Sequence, residues 1–247
     1  MSLIGKVAIV TGASSGIGAA IAEKFSNEGA QVVMVGRNET KLNAVSAKCK
    51  DPLIIKAELG KDEDIVRIID ETIKKFGKID ILVNNAGTSV MGSILVGDIM
   101  KAYDEVMKVN FKAIVHLTKL AAPHLITTKG NIINISSIGG ERTAAVPVLM
   151  MYTCSKAALN HFSKDVALEL SPHKVRVNVI SPGPVRTDIL ENTGTPISWD
   201  AFKQKTALDR VSEPEEIADL ALFLASEKAK AITGSIFVSD NGMSLKN

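Results

Sequence analysis

The chain has 247 residues, 46% of them hydrophobic, which suits one large domain or two small ones with a sizeable core. Its 29 Lys and Arg against 27 Asp and Glu leave a net charge of +2, too mild to point to a nucleic acid or an anionic membrane. Two distant cysteines, Cys49 and Cys154, and four histidines without metal-ligand spacing argue against a disulfide framework or a zinc site, and for a reducing, cytoplasmic compartment. The first residues carry no signal-peptide pattern, and no apolar run reaches the roughly 18 residues that span a bilayer.

Short apolar runs predict strands at 7–10, 31–35, 53–57, 81–83, 131–135, 176–180 and 235–238. Amphipathic patterns between them predict helices near 16–28, 39–48, 62–76, 98–126, 154–170 and 214–225. Near-continuous apolar strands alternating with helices predict an α/β fold. Its doubly wound sheet has about seven parallel strands and helices on both faces. No linker or repeat divides residues 1–247, which read as a single dinucleotide-binding and catalytic domain. Residues 187–208 fit neither period and read as a substrate lid within it. In such a sheet ligands bind beyond the carboxyl ends of the strands, so the strand ends carry the functional reading.

The first strand runs into Thr11-Gly12-Ala13-Ser14-Ser15-Gly16-Ile17-Gly18, with a helix-forming segment behind it. Unpaired N–H groups and the dipole of a helix start attract phosphate, and glycines let it approach the backbone. Gly12, Ser14, Ser15, Gly16, Ile17 and Gly18 are therefore candidates for a pyrophosphate cradle; a plain tight turn is the alternative. Strand two ends at Val35-Gly36-Arg37-Asn38. An NAD site wants a carboxylate about 20 residues beyond the glycine turn, but Gly36 stands there and Arg37 follows. A guanidinium can clamp a 2′-phosphate, with Ser14 and Asn38 as neutral donors, which favours NADP(H). A solvated loop arginine is the alternative.

Tyr152-Thr153-Cys154-Ser155-Lys156 puts a phenol and an ammonium on one face of a helix start. A phenol titrates near 10, so proton transfer near pH 7 asks for a shift of roughly 3 units, about 4 kcal/mol. An ammonium at about 4 Å gives about 1 kcal/mol in bulk water and severalfold more in a dry cleft. Strand five ends at Ser136-Ser137, and a serine there can hold a carbonyl oxygen.

The Thr-Gly-x-x-x-Gly-x-Gly turn is followed in order by Asn84-Asn85-Ala86-Gly87, Asn110, Ser137, Tyr152-x-x-x-Lys156 and Pro182-Gly183. This series spans Lys6 to about Gly242 and resembles the short-chain dehydrogenase/reductase family. The resemblance implies a Rossmann-type sheet and usually a homotetramer, built through paired long helices and C-terminal strands. It implies that Ser137 is the catalytic serine, with Ser136 as its neighbour, and that Asn110 holds a water of a proton relay. Tyr152 would give the proton, and Lys156 would lower the phenol pKa and bind the nicotinamide ribose. Glu58, where the family usually has Asp, and Leu59 would border the adenine. Asn84 and Asn85 would mainly brace the structure, with Asn85, Ala86 and Gly87 beside the nucleotide. Pro182 and Gly183 would flank the nicotinamide, with the Val185 N–H and the Thr187 hydroxyl on its carboxamide. The 15 positions from Ser137 to Tyr152 are two more than the family pattern, so the loop at 141–151 alters the cleft mouth.

These readings converge on hydride transfer between NADP(H) and a small carbonyl or secondary alcohol. Val90, Met91, Val146, Leu149, Met150, Ile189, Leu190, Ile197 and Trp199 would line an apolar pocket for a ketone or aldehyde; core or interface positions are the alternative. Arg142 and Arg186 are the only cationic anchors that stand out, so a compulsory carboxylate substrate is not favoured. Two rivals remain open: a non-catalytic NADP(H)-binding sensor or scaffold, and an epimerase or dehydratase that regenerates its cofactor.

Overall fold

The structure, a computed structural model, describes residues 2–144, 146–188 and 199–246. Its strands are β1 (Val7–Thr11), β2 (Gln31–Gly36), β3 (Leu53–Lys56), β4 (Ile81–Asn84), β5 (Asn131–Ile135), β6 (Arg176–Pro182) and β7 (Ile236–Ser239). They form one sheet in the order β3-β2-β1-β4-β5-β6-β7, with every neighbouring pair parallel. The helices are α1 (Gly16–Asn27), α2 (Glu39–Ser46), α3 (Asp62–Phe76), α4 (Ile99–Met107), α5 (Ala113–Thr128), α6 (Met150–Leu170), α7 (Trp199–Lys203) and α8 (Pro214–Ala225). The doubly wound α/β reading holds.

Side chains alternate across a strand, so a run apolar at every position feeds two cores at once. In β1, Ala8 and Val10 enter a core with Ile21 and Phe25 of α1 and Ile217 and Leu222 of α8. Val7 and Ile9 enter the opposite core with Ile65 and Ile68 of α3, Leu117 and Leu125 of α5 and Val166 of α6. Each fully buried side chain of this size contributes about 1.5–3 kcal/mol, so the central strands are fixed from both faces.

The predicted helix 98–126 is interrupted. Between α4 and α5, Lys108–Lys112 forms a wide π-type turn. Apolar periodicity does not register one extra residue in a turn, so the sequence pattern reads through it. The predicted helix 154–170 begins earlier, at Met150, because the 3₁₀ turn Pro147–Leu149 leads straight into it. Of the lid expected at 187–208, residues 189–198 lie outside the described residues; the described part holds the short α7 and the turns after it.

At the opposite end of the sheet from the strand-end loops, buried Asp80 accepts the Val7 N–H at 2.9 Å and meets Lys78 at 3.0 Å and Lys6 at 3.5 Å. It ties the starts of β1 and β4 together. Asp80→Ala strands the Val7 N–H and is expected to lower unfolding free energy by about 1–3 kcal/mol, read from urea denaturation. A change under half a kilocalorie would show that water replaces the carboxylate at no cost.

Candidate active site

The strand order reverses between β1 and β4, and the crevice of a doubly wound sheet opens at that reversal. Thr11 closes its floor: its hydroxyl donates to the Val83 carbonyl at 3.2 Å and accepts the Asn85 and Ala86 N–H groups at 3.0 and 3.1 Å. Asn85 Nδ2 returns a bond to the Thr11 carbonyl at 2.9 Å. Asn84 turns away and donates to Asn134 Oδ1 on β5 at 2.8 Å, so it braces the sheet. Gly12 adopts φ +69°, and a Cβ at Gly18 would collide with the Gly12 carbonyl and with Asn85. The turn therefore packs as tightly as its sequence suggested. Ser15 makes no side-chain cap on α1, and no acidic residue stands in the first turn, so the helix start keeps its attraction for an anion.

The first turn of α6 forms the other wall. Lys156 is buried and donates to the Ile135 carbonyl at 2.8 Å. Its Nζ lies 5.8 Å from the centroid of the Tyr152 ring. Ser136 is buried and donates to the Lys156 carbonyl at 3.3 Å, which directs it into the packing. Ser137 stays half-buried, accepts the Gly139 N–H at 3.1 Å and hydrogen-bonds Tyr152. The sequence left these two serines to be told apart, and their directions separate them.

Asn110 sits in the π turn, fully buried, and its bonds are not local to its helix. It accepts the Thr88 N–H at 2.8 Å and donates to the Thr88 carbonyl at 2.9 Å and to Ser155 Oγ at 3.1 Å. Ser155 donates in turn to the Tyr152 carbonyl at 2.6 Å. Asn110 thus links the loop after β4 to the turn that carries Tyr152. Ser155 and Thr88 were missed in the sequence; the only available signal was the place of Ser155 beside Lys156.

Burial dominates the electrostatics. It lowers the Lys156 ammonium to about 8. It pushes the Tyr152 phenol above its ordinary value, with only the Ser137 hydrogen bond acting downward. Lys156, itself desolvated and facing a carbonyl, does not offset that rise.

The remaining candidates line the same edge. Arg37 and Asn38 are exposed at the end of β2, where the Asn38 side chain caps α2. A Cβ at Gly36 would lie 3.4 Å from Ser14 Oγ. Glu58 is exposed and pairs with Lys61 at 3.2 Å, with Leu59 half-buried beside it. After β6, Val185 bridges to Ser212, and a Cβ at Gly183 would meet Asp240 at 2.7 Å. A Cβ at Gly87 would stand 3.5 Å from Asn110 Oδ1 and 3.7 Å from Lys156 Nζ. Its absence keeps a space open before both residues, and with the uncapped α1 start this fits a dinucleotide running from the glycine turn to Lys156.

At the mouth, the Gly92 N–H donates to the Val148 carbonyl at 2.9 Å and fastens the loop after β4 to the turn before α6. Val90, Val146, Leu149 and Met150 are half-buried there, and Met91 is exposed. Trp199 packs on Phe202 at 5.9 Å, while Ile189, Leu190 and Ile197 lie outside the described residues. Arg142 is held by the Met243 carbonyl at 2.9 Å and Arg186 by Glu213 at 3.1 Å, so both cationic anchors are engaged. Among the described residues no group of three or more His, Cys, Asp or Glu side chains could hold a metal ion, and no helix is long and apolar enough to cross a membrane.

A family model described as enoyl-(acyl carrier protein) reductase matches residues 12–244. The chain belongs to the short-chain dehydrogenase/reductase family. It is 36% identical to L-fucose dehydrogenase of Bos taurus over 98% of this chain and 90% of that protein. Among solved structures, 3-ketoacyl-(acyl-carrier-protein) reductase from Brucella melitensis, complexed with NADH, superposes with TM-score 0.91 at 32% identity, covering 98% of this chain and 100% of that one. A short-chain dehydrogenase from Burkholderia cenocepacia, in complex with NADP, gives TM-score 0.91 at 30% identity over 99% and 100%. One of these two structural neighbours thus holds NADH and the other NADP.

The Lys156 shift has a sign that stability can report. A lysine whose folded pKa is about 8 against an ordinary 10.5 favours the unfolded chain below pH 8. That penalty shrinks as pH rises from 8 to 10.5. Lys156→Met is expected to raise the unfolding free energy at pH 7 by about 1–3 kcal/mol and to flatten its rise between pH 8 and 10.5. A loss of stability at pH 7 would show that the bond to Ile135 outweighs desolvation.

Proposed function

We propose that this protein transfers hydride between NADP(H) and an apolar ketone, aldehyde or matching secondary alcohol. The observation that carries the reading is the joining of Tyr152, Ser137, Lys156 and Asn110 at one open space kept by Gly87. When bound, the nicotinamide supplies or accepts the hydride.

The chain's residues do the rest. The half-buried Tyr152 keeps its phenol protonated and donates that proton to the carbonyl oxygen. Ser137, already bonded to that phenol, holds the same oxygen and polarises the carbonyl. Lys156 has its Nζ in front of the Gly87 space, where it binds the nicotinamide ribose and stabilises phenolate as the proton leaves. Asn110 fixes the loop after β4 against α6 and stands in line to pass protons from Lys156 to water. In the alcohol-to-carbonyl direction the phenol has to lose its proton first, against the burial that holds it; a bound oxidised nicotinamide would supply positive charge beside it.

Arg37 favours NADP(H), because Gly36 offers no carboxylate for the ribose hydroxyl and Ser14 stands beside it. Along the pyrophosphate run Gly12, Ser15, Gly16, Ile17 and Gly18; Glu58, Leu59, Asn85 and Ala86 border the adenosine, and Pro182, Gly183, Val185 and Thr187 the nicotinamide. The half-buried apolar residues at the mouth and the engagement of Arg142 and Arg186 support an apolar substrate, unlike the sugar in the name of the bovine relative. The chain reads as one domain, with Tyr103 of α4 exposed beside Met107 and Phe111 in support of a homotetramer paired along these helices. Two free thiols, Cys49 and Cys154, support a cytoplasmic setting.

The test is oxidation of NADPH and NADH against diketones, aromatic aldehydes, steroids and retinal. Tyr152→Phe is expected to lose at least about a thousandfold in turnover while NADPH still binds; the two proton-transfer and oxyanion contributions together justify that scale. Retained turnover would remove Tyr152 from its role, and NADPH binding without turnover of any carbonyl by the unaltered protein would favour a sensor. Arg37→Asp is expected to reverse the cofactor preference, and an unchanged ratio of kcat/KM for the two cofactors would remove Arg37 as the selector.

A further inference from the structure

Lys41 escaped the sequence reading. It follows Arg37 by one turn of chain, at the third position of α2, where its N–H donates to the capping oxygen of Asn38 at 3.0 Å. Its side chain crosses the strand-end face to the segment after β6 and meets Asp188 Oδ2 at 2.6 Å, joining residues 147 apart in sequence.

Asp188 does not belong to α2 at all. It is bonded first to Lys41 and then to the Ser15 hydroxyl, and these contacts hold its carboxyl below the ordinary range despite partial burial. Thr187, just before it, presses on the glycine turn, where a Cβ on Gly16 would stand 2.8 Å from Thr187 Cγ2. The end of the β6 loop thus rests on the mouth of the phosphate cradle. Its carboxylate takes the Lys41 ammonium of the helix that follows Arg37, at the edge of the glycine turn beside Ser15. The nearest other charges on α2 balance: Glu39 pairs with Lys56 at 3.3 Å.

A carboxylate and a phosphate monoester recruit the same donors, but the monoester carries −1.5 to −2 charge near neutral pH. Lys41 and Asp188 are both partly exposed, so their pairing is weak enough to exchange. We propose that Lys41 is a second specificity-determining residue for the cofactor's 2′-phosphate, and that Asp188 stands in for that phosphate until the cofactor arrives. This rests on the reading of Arg37 as the NADP(H) selector. Binding then exchanges one anion for another at Lys41, and the ribose of NAD(H), lacking the monoester, leaves the Lys41–Asp188 pair closed.

The test measures NADPH and NADH dissociation constants by nicotinamide fluorescence on the full chain, without substrate. Lys41→Gln is expected to weaken NADPH about tenfold, to change NADH less than about threefold and to flatten the salt dependence of NADPH binding. Lys41→Arg is expected to keep the preference, and Asp188→Asn to tighten NADPH by a few-fold. Equal weakening of both cofactors by Lys41→Gln would assign Lys41 to the pyrophosphate and overturn the proposal, as would no change in either. Weaker NADPH binding in Asp188→Asn would overturn the stand-in role. A wild-type preference for NADH would overturn the Arg37 reading and this one with it. A wild-type NADPH preference that survives Lys41→Gln would overturn this one alone.

Discussion

The structure turns on a buried cation with a neutral partner. Lys156 sits in the wall between α6 and the end of β5, and the described residues give its ammonium a backbone carbonyl. An ammonium taken out of water this way is costly, and its fall to about 8 is the measure of that cost. Every neighbour can be understood as holding that arrangement. Ser136 pins the Lys156 backbone, while Ser155 and Asn110 pin the turn ahead of it. Without these bonds, the first turn of α6 could rotate the lysine to solvent and release the strain.

The same logic explains why the π turn falls at Asn110. A regular helix through residues 108–112 would keep each side chain on the 3.6-residue spiral. One extra residue in the turn moves Asn110 inward, where both ends of its amide meet partners on other elements. Burying that amide is affordable only because Thr88 and Ser155 satisfy it. The backbone irregularity and the polar network therefore depend on each other, and both serve the position of Tyr152.

The sequence was most legible where function follows spacing along the chain. Strand ends, the glycine turn and the Tyr152–Lys156 pair are local patterns, and the folded chain brings them to one edge of the sheet. It was least legible where a contact joins distant segments. The Lys41–Asp188 pair has no local signature, and neither does the bond from Asn110 to Ser155. The direction of a side chain was also hidden: Ser136 and Ser137 are adjacent in sequence, yet one enters the packing and the other meets Tyr152. The balance of effects on the Tyr152 phenol was hidden for a related reason. Proximity of a lysine acts to lower it, burial acts on both groups, and only the packed structure shows how large the burial is.

Two lysines at opposite ends of the strand-end face show how partner choice suits task. Lys41 has a carboxylate partner and is exposed, so its partner can exchange. Lys156 has a carbonyl partner and is buried, so its position is certain and its charge is poised near neutrality. A carboxylate beside Lys156 would restore a firm ammonium, but it would also bind that ammonium tightly and oppose the negative charge developing on a tyrosine. A carbonyl holds the amine in place without competing for the proton. That no acid stands there among the described residues is therefore as much a feature of the site as the presence of one beside Lys41.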